Sequence, residues 1–213
     1  MPDPHHADPD ADLDARTKAL VRPAAKGDEA AWSQLVELLY PNVIAIVRNH
    51  LPYSEQEEDI TQDIFIKVFM KIEQYAGDKP LTHWVSRIAI NTCYDHLRSQ
   101  RSRAKRVSSY TDLNIDEARF HRTLSAEEPH TAATRSQEST TELINLLLAT
   151  LNPQEQIVIR LVDLEEHSVA ETCELTGWGE SKVKVTAMRA RRKLTESLAD
   201  LEADKTATAP DPH

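Results

Sequence analysis

The chain has 213 residues, a hydrophobic fraction of 40% and a formal net charge of −10. That length can bury a core as one domain or as two small ones. No run approaches eighteen uninterrupted apolar residues, and the acidic, proline-bearing start is unlike a signal peptide, so neither membrane insertion nor export is predicted. Four glycines and few β-branched runs predict an all-α protein. The missing membrane span and signal peptide predict that it is intracellular.

Charge and hydropathy divide the chain into five parts. Residues 1–20 contain five acids against two bases and are predicted to be a disordered tail, as are residues 200–213. Residues 107–138 are polar and acidic without sustained periodicity, which predicts a linker too long for a loop inside one domain. Two helical domains, 21–106 and 139–199, are predicted on either side of this linker.

The first domain shows helical spacing throughout. Apolar residues repeat from Trp32 to Leu39, and Pro41 is expected to end or kink that helix. Ser54 and Glu57 have the spacing of a capping box at the start of a helix with strict fourfold apolar spacing. The apolar positions of that helix are Ile60, Ile64, Val68 and Ile72. After the turn AGDKP, a last helix is predicted from about residue 82 into a basic run.

Three further start signals predict the helices of the second domain. Capping boxes are expected at Ser139–Glu142 and Ser168–Glu171, and Asn152 precedes a proline at a first helical position. The helix after Ser168 should end near Gly177, and another should follow from about Glu180. A short helix, a glycine-containing turn and a longer basic helix are typical of a helix-turn-helix.

Residues 177–194, GWGESKVKVTAMRARRKL, carry six cations against one acid. At about 100° per residue, one narrow apolar stripe is predicted to face the core. That stripe consists of Val183, Ala187, Ala190 and Leu194. The opposite face mixes small, apolar and cationic side chains, which suits a DNA major groove. The DNA-binding candidates on this face are Ser181, Lys184, Val185, Met188, Arg189 and Arg192. A solvated basic helix is the alternative, but the preceding short helix and Gly177 favour DNA binding.

Residues 82–106 form a second basic stretch, with six cations against one acid. One predicted helical face carries Arg87, Asn91, Tyr94, Arg98 and Arg101. The other carries Val85, Ile88, Ala89 and Cys93. An aromatic ring among cations fits the stacking and phosphate contacts that hold single-stranded nucleic acid, although a solvated face explains this pattern equally well.

The helix with fourfold spacing has a second face that changes from polar to apolar. Asp59, Gln62 and Asp63 are followed there by Ile66 and Met70. Exposed apolar groups on a helix indicate a protein partner. The alternative is that Ile66 and Met70 widen the contact with the core.

Three segments resemble the extracytoplasmic-function class (group 4) of bacterial sigma factors, which belong to the sigma-70 family. In chain order they are EDITQDIFIKVF, YAGDKPLTHWVSRIAINTCYDHLRSQ and LNPQEQIVIRLVDLEEHSVAETCELTGWGESKVKVTAMRARRKL. The resemblance covers about residues 24–106 and 142–198. It implies two helical domains, region 2 and region 4, joined by a flexible linker that threads into core RNA polymerase. It also implies a role in promoter recognition, melting and transcription initiation.

The resemblance also implies roles for particular residues. Asp59, Gln62 and Asp63 would dock on core RNA polymerase, and the basic helix of region 4 would read the −35 element. The −10 element would be read by the turn at residues 76–82 and by the basic face that follows it. The residues concerned are Asp78, Lys79, Arg87, Asn91, Tyr94, Arg98 and Arg101. Trp84 is expected to pack in the domain, and an anti-sigma factor is an expected partner in the cytoplasm.

A stand-alone helix-turn-helix regulator is the alternative function, and it would bind DNA as a dimer without polymerase. Against it, the first domain has its own basic face and no dimerising heptads are visible. An enzyme is not predicted, because the sequence has no nucleophile elbow, phosphate loop or HExxH motif. Cys93 and His96 lack a second pair at metal-ligand spacing, so no metal or cofactor is expected. Cys93 and Cys173 are expected to be free thiols.

Overall fold

The computed structural model of the chain describes residues 9–52, 56–108 and 132–207. Within those ranges the chain forms eight α-helices and no β-strand, which confirms the all-α prediction. The contacts divide it into two compact units. The first comprises residues up to Asp95 together with Cys173–Gly177, and the second comprises the remaining residues.

The first helix, α1, spans Pro9–Ala25, where the sequence predicted a disordered tail over residues 1–20. That prediction is wrong for residues 9–20, while residues 1–8 lie outside the described residues. Thr17 and Ala24 are buried, and the Thr17 hydroxyl donates to the carbonyl oxygen of Leu13 at 2.8 Å. The segment also has residues at helical spacing that face inward, and α1 packs with them along the next helix. Its acids and prolines obscured this spacing in the sequence.

Helix α2 spans Glu29–His50 and forms the centre of the first unit. Asp28 caps it, because its carboxylate accepts hydrogen bonds from the backbone N–H groups of Ala30 at 3.0 Å and Ala31 at 3.1 Å. Pro41 lies inside the helix, so the expectation that the helix ends there is wrong, and the alternative of a kink stays a prediction. By length and composition α2 could cross a membrane, but core helices of soluble proteins meet the same criterion.

Helix α3 spans Glu57–Lys71 and is followed by a 3₁₀ turn, Ile72–Gln74. The fourfold apolar stripe is buried as predicted. The predicted capping box includes Ser54, which lies outside the described residues. The helix begins at Glu57 with Gln56 as N-cap, so Glu57 holds the first position and not the third. Its carboxylate instead accepts a hydrogen bond of 2.9 Å from Nε of Arg48 on α2.

Helix α4 spans Leu81–Ser108. Val85, Ala89 and Cys93 are fully buried on the predicted inner face. Polar contacts also fasten this helix within the first unit: the Lys67 ammonium of α3 donates to the Thr92 hydroxyl at 3.1 Å. The inner face of α4 therefore completes the first core, and its basic face points away from it.

Helix α5 spans Ala132–Ala149, so the capping box predicted at Ser139–Glu142 is wrong. Helix α5 begins seven residues before Ser139. It can do so because residues 132–149 contain no glycine or proline to interrupt a helix. The predicted linker, 107–138, is correspondingly shorter at both ends. Residues 109–131 lie outside the described residues.

Both other start signals of the second unit are confirmed. Helix α6, Pro153–Ile159, is capped by Asn152, whose side chain and backbone exchange hydrogen bonds with Glu155. A π-helical segment, Arg160–Leu164, continues α6. Helix α7, Val169–Thr176, begins with the reciprocal pair of Ser168 and Glu171, at 2.8 Å and 3.2 Å.

Helix α8 spans Glu180–Ala207 and starts where the sequence predicted. Its Ala190 joins Leu148, Leu151 and Ile159 in a buried cluster against which Leu194 packs. The helix continues through residues 200–207, so the predicted disordered tail is wrong there. Helix formers fill this stretch and the next proline is Pro210, which lies beyond the described residues.

Candidate nucleic-acid interface

The structure exposes the outer face of α8 and buries the inner one, as the sequence predicted. Val183, Ala187 and Ala190 are buried on the inner side. All six DNA-binding candidates are exposed on the outer side, and Met188 is 63% exposed. Val185 is exposed beside it, and two neighbouring apolar side chains among cations give this face the character of a binding surface.

Two cations of this face form ion pairs along the helix. Lys184 pairs with Glu180, and Nε of Arg192 lies 3.6 Å from the carboxylate of Glu196. The hydrogen bond and the charge of Lys184 lower the pKa of the Glu180 carboxyl below its ordinary value. Exposed pairs of this kind are weak and are screened by salt, so neither pair keeps its cation from binding another partner.

Two other cations of the same stretch bind acids of the preceding helical segments, which sequence reasoning missed. Arg191 binds Asp163 of the π-helical segment, with Nη2 donating to Oδ1 at 2.7 Å. Lys193 binds the buried Glu155 of α6 at 2.7 Å and 2.9 Å. On the helical wheel both cations lie closer to the buried stripe of α8 than Arg189 and Arg192 do, which is the one signal in the sequence that could have indicated their direction.

The turn before α8 requires a glycine, because the backbone at residue 177 is in the left-handed region. Gly177 has φ = +73°, a conformation that residues with a Cβ rarely adopt. After it, the ammonium of Lys182 lies 4.0 Å from the ring centroid of Trp178, a cation–π contact at the start of α8. The order of α7, glycine turn and α8 is that of a helix-turn-helix.

The basic face of α4 carries its five predicted residues along one side. Arg87, Arg98 and Arg101 are exposed, whereas Asn91 and Tyr94 are half-buried. The side-chain amide of Asn91 donates to the carbonyl oxygen of Arg87 at 2.7 Å, within the same helix. Two of the five residues also bind outside the helix: the Asn91 amide donates to the carbonyl oxygen of Leu175 at 3.3 Å, and Nη1 of Arg101 donates to that of Leu151 at 2.9 Å.

The turn before α4 is held by aromatic and polar contacts, and Asp78 and Lys79 are exposed on it. The Tyr75 ring packs against the half-buried Trp84 with centroids 5.7 Å apart. Burial raises the pKa of the Tyr75 hydroxyl, and the carboxylates of Asp14 and Asp78 raise it further. From α1, the Lys18 ammonium donates to the carbonyl oxygen of Gly77 at 3.4 Å.

A third surface lies on α3, where Asp59, Gln62 and Asp63 are exposed together. Ile66 and Met70 continue this face and are also exposed, Met70 by 74%. They do not widen the contact with the core, so that alternative is wrong. The face therefore passes from acidic to apolar in solvent, as a protein-binding surface would.

The described residues contain no group of three or more His, Cys, Asp or Glu side chains placed to hold a metal ion. Cys93 and Cys173 form no disulfide in the described part of the chain, and Cys93 is buried.

Comparison with known families gives two matches in chain order. The profile described as "Sigma-70 region 2" matches residues 35–103, and "Sigma-70, region 4" matches residues 141–194. Together they cover more than half of the chain. The first match contains α3 and most of α4, and the second contains the helix-turn-helix.

Curated relatives match over most of the chain. The "ECF RNA polymerase sigma factor SigM" of Mycobacterium tuberculosis is 25% identical over 176 residues, 82% of this chain and 81% of its own length. The "ECF RNA polymerase sigma factor BldN" of Streptomyces coelicolor is 28% identical over 197 residues, 92% of this chain and 71% of its own. The sigma factor RpoE of Bartonella quintana, solved with the anti-sigma factor NepR, has a TM-score of 0.51 at 20% identity. That match covers 78% of this chain and 96% of RpoE, and it shows a shared fold.

Proposed function

The chain belongs to the sigma-70 family, and on that premise we propose that it is an extracytoplasmic-function (group 4) factor with functional surfaces on α8, α4 and α3. It is an alternative sigma factor that binds core RNA polymerase and directs promoter recognition and transcription initiation. It is not itself an enzyme, because catalysis belongs to the polymerase. Its place of action is the cytoplasm, where core polymerase and promoter DNA meet.

The outer face of α8 reads the −35 element. The observation that carries this assignment is the exposure of Val185 and Met188 among cations, on the side of α8 opposite the buried Val183, Ala187 and Ala190. Near the helix start, Ser181, Lys184, Val185 and Met188 face base edges in the major groove. The longer cations beyond them, Arg189 and Arg192, bind phosphates.

The basic face of α4 and the turn before it act on the −10 element. Tyr94 among arginines offers a ring for base stacking and cations for the backbone of a separated strand. Asp78 and Lys79 stand exposed on the turn, where an extruded base can approach them. This division gives region 2 the melting step and leaves duplex recognition to region 4.

The mixed face of α3 binds core polymerase. Its carboxylates suit a basic partner surface, and Ile66 and Met70 supply the apolar part of the contact. An anti-sigma factor is the second protein partner, and it would hide these surfaces when the factor is idle. RpoE of Bartonella quintana, which shares the fold, forms a complex with the anti-sigma factor NepR.

A gel shift with and without core polymerase tests the proposal against a stand-alone regulator. The probe is promoter DNA taken from transcript 5′ ends mapped after overexpression. A sigma factor requires core enzyme for tight, specific binding and for permanganate-reactive melting. Specific binding of a dimer without polymerase, and no melting with it, would favour the regulator.

A further inference from the structure

The first of these two cations of α8, Arg191, is partly exposed and makes a forked contact. Nε of Arg191 donates to both carboxylate oxygens of Asp163 at 3.2 Å, and Nη2 donates to Oδ1 at 2.7 Å. A guanidinium held by two nitrogens has a fixed orientation as well as a fixed distance. The contact joins α8 to the π-helical segment across 28 residues of sequence.

The second of these cations, Lys193, binds a buried carboxylate that already has a structural role. The Glu155 side chain is only 5% exposed and accepts from the backbone N–H of Asn152 at 2.9 Å. Lys193 donates to both of its oxygens, at 2.7 Å and 2.9 Å. The carboxylate that caps α6 thus also binds α8, and a buried charge requires such partners.

We propose that Arg191 and Lys193 are positioning residues, which fix the rotation of α8 about its axis and so the direction of its reading face. The inference rests on the proposed function, in which that face reads the −35 element. Relative to Ala190, Arg191 lies about 100° to one side and Lys193 about 60° to the other. One anchor therefore opposes rotation in each direction.

This inference distinguishes Arg191 and Lys193 from the cations of residues 177–194 that bind phosphate. A cation that binds phosphate releases counterions, so its loss lowers the salt dependence of binding by about one unit. A cation that only orients the helix leaves that slope unchanged, but its loss misaligns the base contacts. The affected quantity is then the ratio of affinities for matched and scrambled −35 sequences.

The test uses holoenzyme made from the full-length chain and core polymerase, with promoter duplexes carrying a matched or a scrambled −35 element. We expect Arg191→Gln to lower the affinity ratio by about tenfold without changing the salt slope. The matched control, Arg189→Gln, should lower the slope by about one unit and leave the ratio unchanged. A lowered slope with an unchanged ratio for Arg191→Gln would overturn the inference.

A charge swap sharpens the test. The double variant Asp163→Arg, Arg191→Asp rebuilds the ion pair with its charges exchanged and leaves an acid on α8. It should therefore restore the affinity ratio that Arg191→Asp loses only if the ion pair itself orients the helix. A double variant as poor as the single one would contradict the proposal. If Arg191→Asp does not fold, Asp163→Ala decides: a lowered ratio supports positioning, and uniformly stronger binding contradicts it. A wild-type chain that does not discriminate the two duplexes would instead refute −35 reading by α8.

Discussion

Arg160 donates a hydrogen bond of 2.9 Å from Nη2 to the side-chain oxygen of Asn145, and both residues are buried. The bond joins the π-helical segment to α5. Asn145→Leu removes the acceptor while keeping similar bulk, so a buried charge loses a partner. We expect the free energy of unfolding to fall by about 1–3 kcal/mol, measured by urea denaturation of the full-length chain. Leu143→Ala, at a partly exposed site on the same helix, should cost less, and an equal loss would contradict this role.

The turn between the π-helical segment and α7 contains a strained residue. Glu166 has φ = +58°, in the left-handed region, where a side chain costs about 1–2 kcal/mol. Glu166→Gly relieves that strain but makes the unfolded chain more flexible. We expect a net gain in the free energy of unfolding of about 0.5–1 kcal/mol. Glu166→Ala controls for the lost charge and should give no gain; equal stabilisation by both variants would assign the effect to charge.

The burial of Thr17 distinguishes a folded first helix from a disordered tail. Thr17→Asp would place a carboxylate at a site with no exposed surface, so we expect the free energy of unfolding to fall by about 3 kcal/mol or more. Arg16→Asp, at the exposed neighbouring position, makes a larger charge change and should cost less than about 1 kcal/mol. Similar small effects for both variants would mean that α1 does not pack on the first unit in solution.

Local signals in the sequence predicted much of this fold. The buried stripe of α8 follows from a spacing contained within twelve residues, and the helix starts at Asn152 and Ser168 follow from four residues each. Such patterns succeed because the interactions that produce them connect neighbours in the chain. The same locality explains the failure at Ser139, where the pattern of a start lies inside a helix that began earlier.

Contacts between distant residues could not be predicted in this way. The basic run was recognised, but Arg191 and Lys193 bind acids 28 and 38 residues away, and nothing in their spacing identifies those partners. Likewise the acidic, proline-bearing composition of residues 9–20 predicts disorder. Their helical spacing indicates a helix only when α2 is present for α1 to pack on. The sequence therefore predicts the exposed residues of the candidate site, but not the ion pairs of Arg191 and Lys193 that we propose orient it.

The exposed face of α3 gives a charge test of polymerase docking. In Asp59→Lys, Asp63→Lys, two carboxylates of the mixed face become cations, so binding to a basic partner surface should weaken by about tenfold or more. Affinity for core polymerase is measured by competition with the wild-type factor, and circular dichroism checks helix content. Glu58→Lys, also exposed but about 100° away around α3, should have a smaller effect. Unaltered affinity of the double variant would remove this surface from the docking site.

On the outer face of α8, base-specific contacts and phosphate contacts are expected from different residues. Met188→Ala removes an apolar contact at a base edge, so we expect it to cost about 1–3 kcal/mol on the matched −35 element and much less on a scrambled one. Arg192→Ala removes a phosphate contact, so it should weaken binding equally on both sequences and lower the salt slope by about one unit. Titrations of holoenzyme against both duplexes at several salt concentrations measure the two quantities together. The same sequence-independent loss in both variants would contradict this division, because Met188 would then make no base contact.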